Sequence, residues 1–306
     1  MVVCGRFAGG SSVGSAGQRC HDVAVAGDYT VAMILSTPSL ALAPAGGLLL
    51  AAVATLLYVL AALPSPALRR FSAAALVGGW LLHLVLLVID IGGIGQPMPG
   101  TRLGFAPVLS MTVWLVIAVH TVESRLVPLP SIRLLLAALG ISAVLLTLAF
   151  PGELRPLSSA LAPLHFALGV GSYALFGAAV VHAVLLRRAE RHLRGGTAAL
   201  TTGAAGRALG MPLMQLERLT FHFVDAGFLV LTATLLFGVW TTANWRWDHK
   251  TVFSLMAWGV FAALIVGRRL RGWRGRRATN WLFVGAGLLL LAYIGSRFVM
   301  EVLLHR

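Results

Sequence analysis

From about residue 40 onward, runs of apolar residues alternate with short polar connections rich in arginine. Each run is near the 20 residues a helix needs to cross the hydrocarbon core of a bilayer. Inside that core the backbone finds no water, so a spanning segment must satisfy its own N–H and C=O groups as a helix. The pattern predicts eight spans, at roughly 40–63, 72–93, 105–122, 133–150, 164–186, 217–242, 251–267 and 281–303. The expected fold is an all-α polytopic bundle embedded in a lipid bilayer.

The charges orient it. Arg69 and Arg70, then Arg125 and Arg133, then the run from Arg187 to Arg218, then the arginines from Arg268 to Arg277 occupy alternate connections. The other end carries Arg102, Arg155, Arg246, Lys250 and Arg306. Lys and Arg close to a span are retained on the cytoplasmic side, so both termini are expected outside. A formal net charge of +14 could also suit nucleic acid. These cations, however, flank spans and do not form one basic domain with stacking aromatics, so no nucleic-acid partner is expected. The densest patch, 272–277, fits anionic headgroups, with Trp273 at headgroup level.

Residues 1–32 break the pattern. They are rich in Gly, Ser, Ala and Val and hold both cysteines, Cys4 and Cys20. They lack the basic start and unbroken apolar core of a secretory signal. Met33 stands just ahead of the first span, so this stretch reads as an upstream extension or a disordered tail, with 33–306 as the membrane domain. Without those cysteines, thiol chemistry drops out. P-loop, dinucleotide, hydrolase-elbow and zinc-protease signatures are absent, so no catalysis of its own is expected.

Function then rests on polar groups within the spans. His83 is near the middle of the second span, as a hydrogen-bonded core imidazole or as a ligand or proton relay. His165 opens the fifth span with Gly169 and Ser172 on its face, a stripe suited to helix packing or to a flat ligand. His222 and Asp225, three apart, could form an imidazole–carboxylate pair. His120, His182 and His192 fall near the inner surface, where solvated histidines are ordinary. Between the sixth and seventh spans, Trp240, Trp245 and Trp247 surround Arg246, Asp248, His249 and Lys250. Interfacial tryptophan is common. A cluster this dense also offers what a porphyrin needs: aromatic faces, cations for propionates and imidazole for iron.

The stretch from Gly238 to Trp258 resembles the tryptophan-rich region of the cytochrome c assembly proteins that handle haem. Trp245, Trp247, Asp248, Lys250 and Trp258 carry the match. His165, Tyr173 and Ala174 resemble the segment before it, whose histidine is an outward-facing haem ligand. Pro212-Leu-Met, Glu217-Arg218, His222, Gly272-Trp-Arg-Gly-Arg-Arg277 and Ala292-Tyr-Ile-Gly-Ser-Arg297 are closest to the YpjD-like inner-membrane branch. The sequence departs from the haem-delivering members at Ile265-Val-Gly-Arg-Arg269 and Ile294-Gly-Ser-Arg297, where they have histidines. It also has His249 in place of a proline.

The resemblance implies a multi-pass bacterial inner-membrane protein that handles haem b and assists cytochrome c assembly. Apocytochrome c or another membrane assembly subunit would be its partner. It implies iron ligation by His165 and, within the bilayer, His83. Trp245, Trp247 and Asp248 would contact haem or a partner, with His222 and His249 as further contacts and His249 or His305 as substitute outer ligands. A second reading is a non-haem accessory protein that docks a transporter or a tetrapyrrole-pathway enzyme through its arginine-rich loops.

Overall fold

The computed structural model describes residues 38–63, 70–91, 101–123, 132–155, 161–194, 213–241 and 247–303. The extension at 1–32, Trp245 and His305 lie outside the described residues. Met1–Leu42 and Ala43–Arg306 are separate units, and the architecture below concerns the second.

Eight helical segments account for the eight expected spans. They are α1 (Pro38–Ala62), α2 (Ser72–Ile91), α3 (Phe105–Glu123), α4 (Ile132–Ala149), α5 (Ala162–Arg194), α6 (Leu213–Thr241), α7 (His249–Arg271) and α8 (Gly275–Leu290). The last continues through a π turn at Leu291–Gly295, a short α stretch at Ser296–Phe298 and a second π turn at Val299–Leu303. Seven of these are long and apolar enough to cross a membrane, and the apolar part of α1, Gly46–Ala62, is shorter. Leu229, Leu236 and Leu270 are each about two-thirds or more exposed. Outward-facing leucine of this kind is stable against lipid and costly against water, so the chain is a polytopic membrane bundle.

Several buried span hydroxyls are satisfied locally, although Thr55 Oγ1 of α1 is buried without a partner among the described residues. Thr112, Thr147, Thr220 and Thr234 each donate to the carbonyl four residues back, at 2.7–2.8 Å, so none presents an unpaired donor to lipid.

Glycines let the helices approach. Tyr58 of α1, fully buried, lies against Gly79 of α2 and Gly140 of α4. Gly177 of α5 receives Val116 of α3, and Gly285 of α8 receives Phe261 of α7. Such small-residue contacts replace the hydrophobic drive that is missing between helices in lipid. Trp80 and Trp114 stack at 5.0 Å, and each indole donates to the other's backbone carbonyl, fastening α2 to α3.

Three core clusters form among the described residues. One gathers α1–α4, with Val181, Leu185 and Leu186 of α5 and Leu216 of α6, around Tyr58; the second gathers α5–α8 around Phe176, Phe221 and Phe261; a small third joins Phe105 and Ala106 to Ile294. The most extensive helix pairing is α5 with α6, and α3 with α5 joins the halves.

At the arginine-poor end, β1 (Thr101–Leu103) pairs antiparallel with β2 (Glu153–Arg155), tying the α2–α3 connection to the α4–α5 connection. Gly152 turns into β2 with φ 75°, and a Cβ there would meet Leu103 O at 3.0 Å. At the other end, Gly272 closes α7 in the left-handed conformation, with Trp273 N donating to Gly267 O at 3.2 Å. Trp273 is folded onto Gly267 and Trp281, so its ring packs within the protein.

Candidate functional site

A cleft of about 480 Å³ opens at the arginine-poor end between α5, α6, α7 and the π-wound part of the last helix. That volume lies within the range of cofactor pockets. His165, in the first turn of α5, lines it together with Asp248 and Lys250 from the start of α7. Residues more than 80 positions apart in sequence thus meet at one cavity.

Each wall has a local cause. The His165 ring lies close over Gly238, where a Cβ would stand 3.0 Å from Cε1, and faces Phe237 at 6.2 Å. Its imidazole has no side-chain hydrogen bond among the described residues. Asp248 is the N-cap of α7 and accepts from Thr251 N at 2.9 Å and Thr251 Oγ1 at 2.8 Å. Partial burial works against the Asp248 carboxylate. The Thr251 hydrogen bonds and the Lys250 ammonium outweigh it, holding the carboxyl below its ordinary range. Lys250 Nζ lies 5.5 Å from the Tyr293 ring centroid.

The far wall is formed by Leu289, Ala292 and Tyr293, where the last helix changes from α to π winding. Tyr173 of α5 donates to Leu289 O there. Such π turns are frequent at functional sites. Ser172 and Thr234 also line the cleft, but their hydroxyls are turned back onto Gly169 O and Val230 O.

A haem-like ligand is compatible with this donor set. It offers one imidazole without a protein partner, one ammonium and the rings of Phe166, Tyr173 and Tyr293.

The other candidates lie elsewhere. Trp247 is 73% exposed and His249, the first residue of α7, is exposed; neither lines the cleft. His222 is exposed on α6, about 24 Å along the helix from Gly238 at 1.5 Å per residue. Its expected partner Asp225 faces Arg269 instead, at 4.0 Å.

His83 is buried among α1, α2 and α3, with Tyr58 Oη 3.2 Å from Nδ1 and Ser110 Oγ 2.7 Å from Nε2. Both ring nitrogens are engaged. The space beside it is about 20 Å³, room for a water but not a macrocycle. The hydrogen-bonded core alternative therefore describes its setting, and an iron ligand there would have to break one of those bonds.

Two expectations need correction. His120 and His182 are not solvated interfacial residues: they are 7% and 1% exposed, and both lie beside Glu123. The spacing of His120 and Glu123, three apart on one helix, was a signal in the sequence. Their partner on α5 was not, because it lies 59 residues from Glu123. Tyr293 and the π turn were also unforeseen as cleft wall.

The fold and cleft define a class: a polytopic helical membrane protein with a cofactor-sized cavity at the end of its second four-helix half. The chain belongs to the Cytochrome C assembly protein family, whose model matches residues 45–304. It is 34% identical over 142 residues to the inner membrane protein YpjD of Escherichia coli K12, covering 45% of this chain and 52% of that protein. It is 33% identical over 107 residues to the cytochrome c biogenesis protein CcsA of Gloeobacter violaceus, covering 33% and 32%. A Synechococcus CcsA is 37% identical over 86 residues, covering 26% and 28%. The chain thus matches about half the length of YpjD and less of CcsA. No solved structure matches it.

Proposed function

We propose that this chain handles haem b as cargo during cytochrome c assembly in a bacterial inner membrane, holding it in the cleft between α5, α6, α7 and the last helix. The observation that carries this reading is the convergence of His165 with the Asp248–Lys250 turn on one cavity of cofactor size. His165 would ligate iron, since its imidazole has no competing side-chain partner among the described residues. Lys250 would pair with a propionate. Trp247 and Trp240, 73% and 76% exposed at this end, would present flat faces to apocytochrome c or to another assembly subunit. Family membership and the CcsA relatives support the pathway, and the YpjD name supports the membrane.

The non-haem accessory reading is favoured by one observation: His165 is the one histidine among the described residues lining the cleft. Haem iron often takes a second protein ligand.

The absorption spectrum of the detergent-purified protein separates the readings. The haem reading expects a haem spectrum that falls sharply in His165→Ala and survives in His222→Ala. A wild-type protein produced under haem-replete conditions that neither retains haem nor takes it up on titration would reject the cargo role. Occupancy unchanged in His165→Ala would remove that residue as the ligand.

A further inference from the structure

At the arginine-rich end of the bundle, a second polar constellation bridges α3 and α5, remote from the cleft. His182 of α5 is 1% exposed, Glu123 of α3 is 8% exposed and His120 of α3 is 7% exposed. His182 Nδ1 lies 2.7 Å from Ala178 O, and Nε2 lies 3.0 and 2.9 Å from the two Glu123 oxygens. His120 Nδ1 stands 3.9 Å from Glu123 Oε2 without a hydrogen bond of its own.

Counting donors fixes where protons must be. A backbone carbonyl only accepts, so Nδ1 of His182 must carry hydrogen. An ionised carboxylate also only accepts. The close contact at Nε2 therefore needs one more hydrogen, either on Nε2, giving imidazolium and carboxylate, or on Glu123, giving neutral imidazole and carboxylic acid. Either way the pair holds one proton beyond neutral imidazole plus carboxylate. Without that proton, a buried nitrogen lone pair would face a buried anion, which a low-dielectric interior strongly disfavours. A metal ion could supply the charge instead, but no group of three such side chains among the described residues can hold one.

Among the described residues, no further charged side chain pairs with the trio. Ala178 O and the three side chains themselves make up the hydrogen-bond and ion-pair partners of the trio among the described residues. From α6 the neighbour is the Phe223 ring, 5.3 Å from His182. Arg187, five residues on in α5, is committed to α8, donating to Thr279 Oγ1 and lying over Phe283.

We propose that Glu123 and His182 form a buried proton-binding site that clasps α3 to α5, with His120 beside it. The ligand is a proton, and the α3–α5 seam joining the two halves of the bundle is electrically neutral only while that proton is bound. This does not depend on haem.

The test is magnetic resonance on the full chain in lipid nanodiscs at neutral pH, with 15N-histidine and 13C-glutamate. A nitrogen–carbon dipolar correlation identifies the His182–Glu123 pair in the wild type, so no variant has to fold. The site is supported by an imidazolium at that histidine, or by a neutral imidazole correlated with a protonated carboxyl. A neutral imidazole of either tautomer beside an ionised carboxylate overturns it, as does absence of the correlation. In Glu123→Gln the imidazolium or carboxylic-acid signature should be lost, while His120→Gln should leave it in place. Persistence of an imidazolium at His182 in Glu123→Gln would also overturn the shared proton.

Discussion

Replacing Gly140 with alanine tests whether the first core cluster is organised around Tyr58. The added Cβ would stand 2.7–2.8 Å from three atoms of the Tyr58 ring, where a comfortable carbon–carbon contact is about 3.5–4.0 Å. An overlap of about 1 Å must be relieved. The ring cannot simply retreat, because it also lies against Gly79, where a Cβ would be at 3.2–3.3 Å. Displacing it also strains the 3.2 Å contact from Tyr58 Oη to His83. Overpacking of this kind costs about 1–3 kcal/mol, or roughly 5- to 160-fold in the folding equilibrium. The control is Gly259→Ala on α7, where a Cβ meets nothing within 4 Å; there a better helix former should be neutral or stabilising by up to about 1 kcal/mol. Denaturant titration of both purified proteins, followed by helical circular dichroism, gives the comparison. Equal midpoints for the two variants would refute the wedge.

Four further outcomes follow. Gly238→Ala, which brings Cβ to 3.0 Å from His165 Cε1, should displace the imidazole by a few tenths of an ångström and weaken haem retention several-fold with little change in stability; equal retention by spectral titration would count against His165 lining the binding surface. Ser110→Ala leaves His83 Nε2 without its 2.7 Å partner and should cost about 1–3 kcal/mol, read from the same unfolding midpoint. Asp248→Ala removes the α7 cap and should cost about 0.5–2 kcal/mol, whereas Asp248→Asn should retain most of it. Because the folded Asp248 carboxyl lies below its ordinary value, its contribution is present above the unfolded carboxylate pKa and lost as pH falls through the folded one. Asp248→Asn should therefore flatten the acid limb of the stability profile, and an unchanged limb would contradict that assignment.

The spans were legible because lipid leaves the chain little choice: an apolar run of sufficient length becomes a helix. Their ends were less so. The fifth span was expected to stop near 186, yet α5 continues to Arg194, because Arg, Ala, Leu and Glu are good helix formers even where hydropathy falls. The π turns at Leu291–Gly295 and Val299–Leu303 leave no compositional mark, since the same apolar residues serve either winding. Of the cleft, His165 and the Asp248–Lys250 turn could be singled out in the chain, but their meeting depends on how α5, α6 and α7 pack. His120 and His182 were misjudged for the opposite reason: hydropathy placed them near a surface, and only the α3–α5 contact shows them buried on Glu123.

The π winding of the last helix fixes the bearing of everything beyond it. A π turn accommodates an extra residue within the α repeat, and one residue is worth about 100° of rotation. Glu301, which receives Phe105 N at the start of α3, keeps its aim through that offset. Rewinding Leu291–Gly295 as plain α at the same residue count would swing Glu301 toward another azimuth, whereas deleting one residue there would restore α winding and leave its aim nearly unchanged. A carboxylate at the mouth of α3 is thus tied to the winding of the wall behind Tyr293.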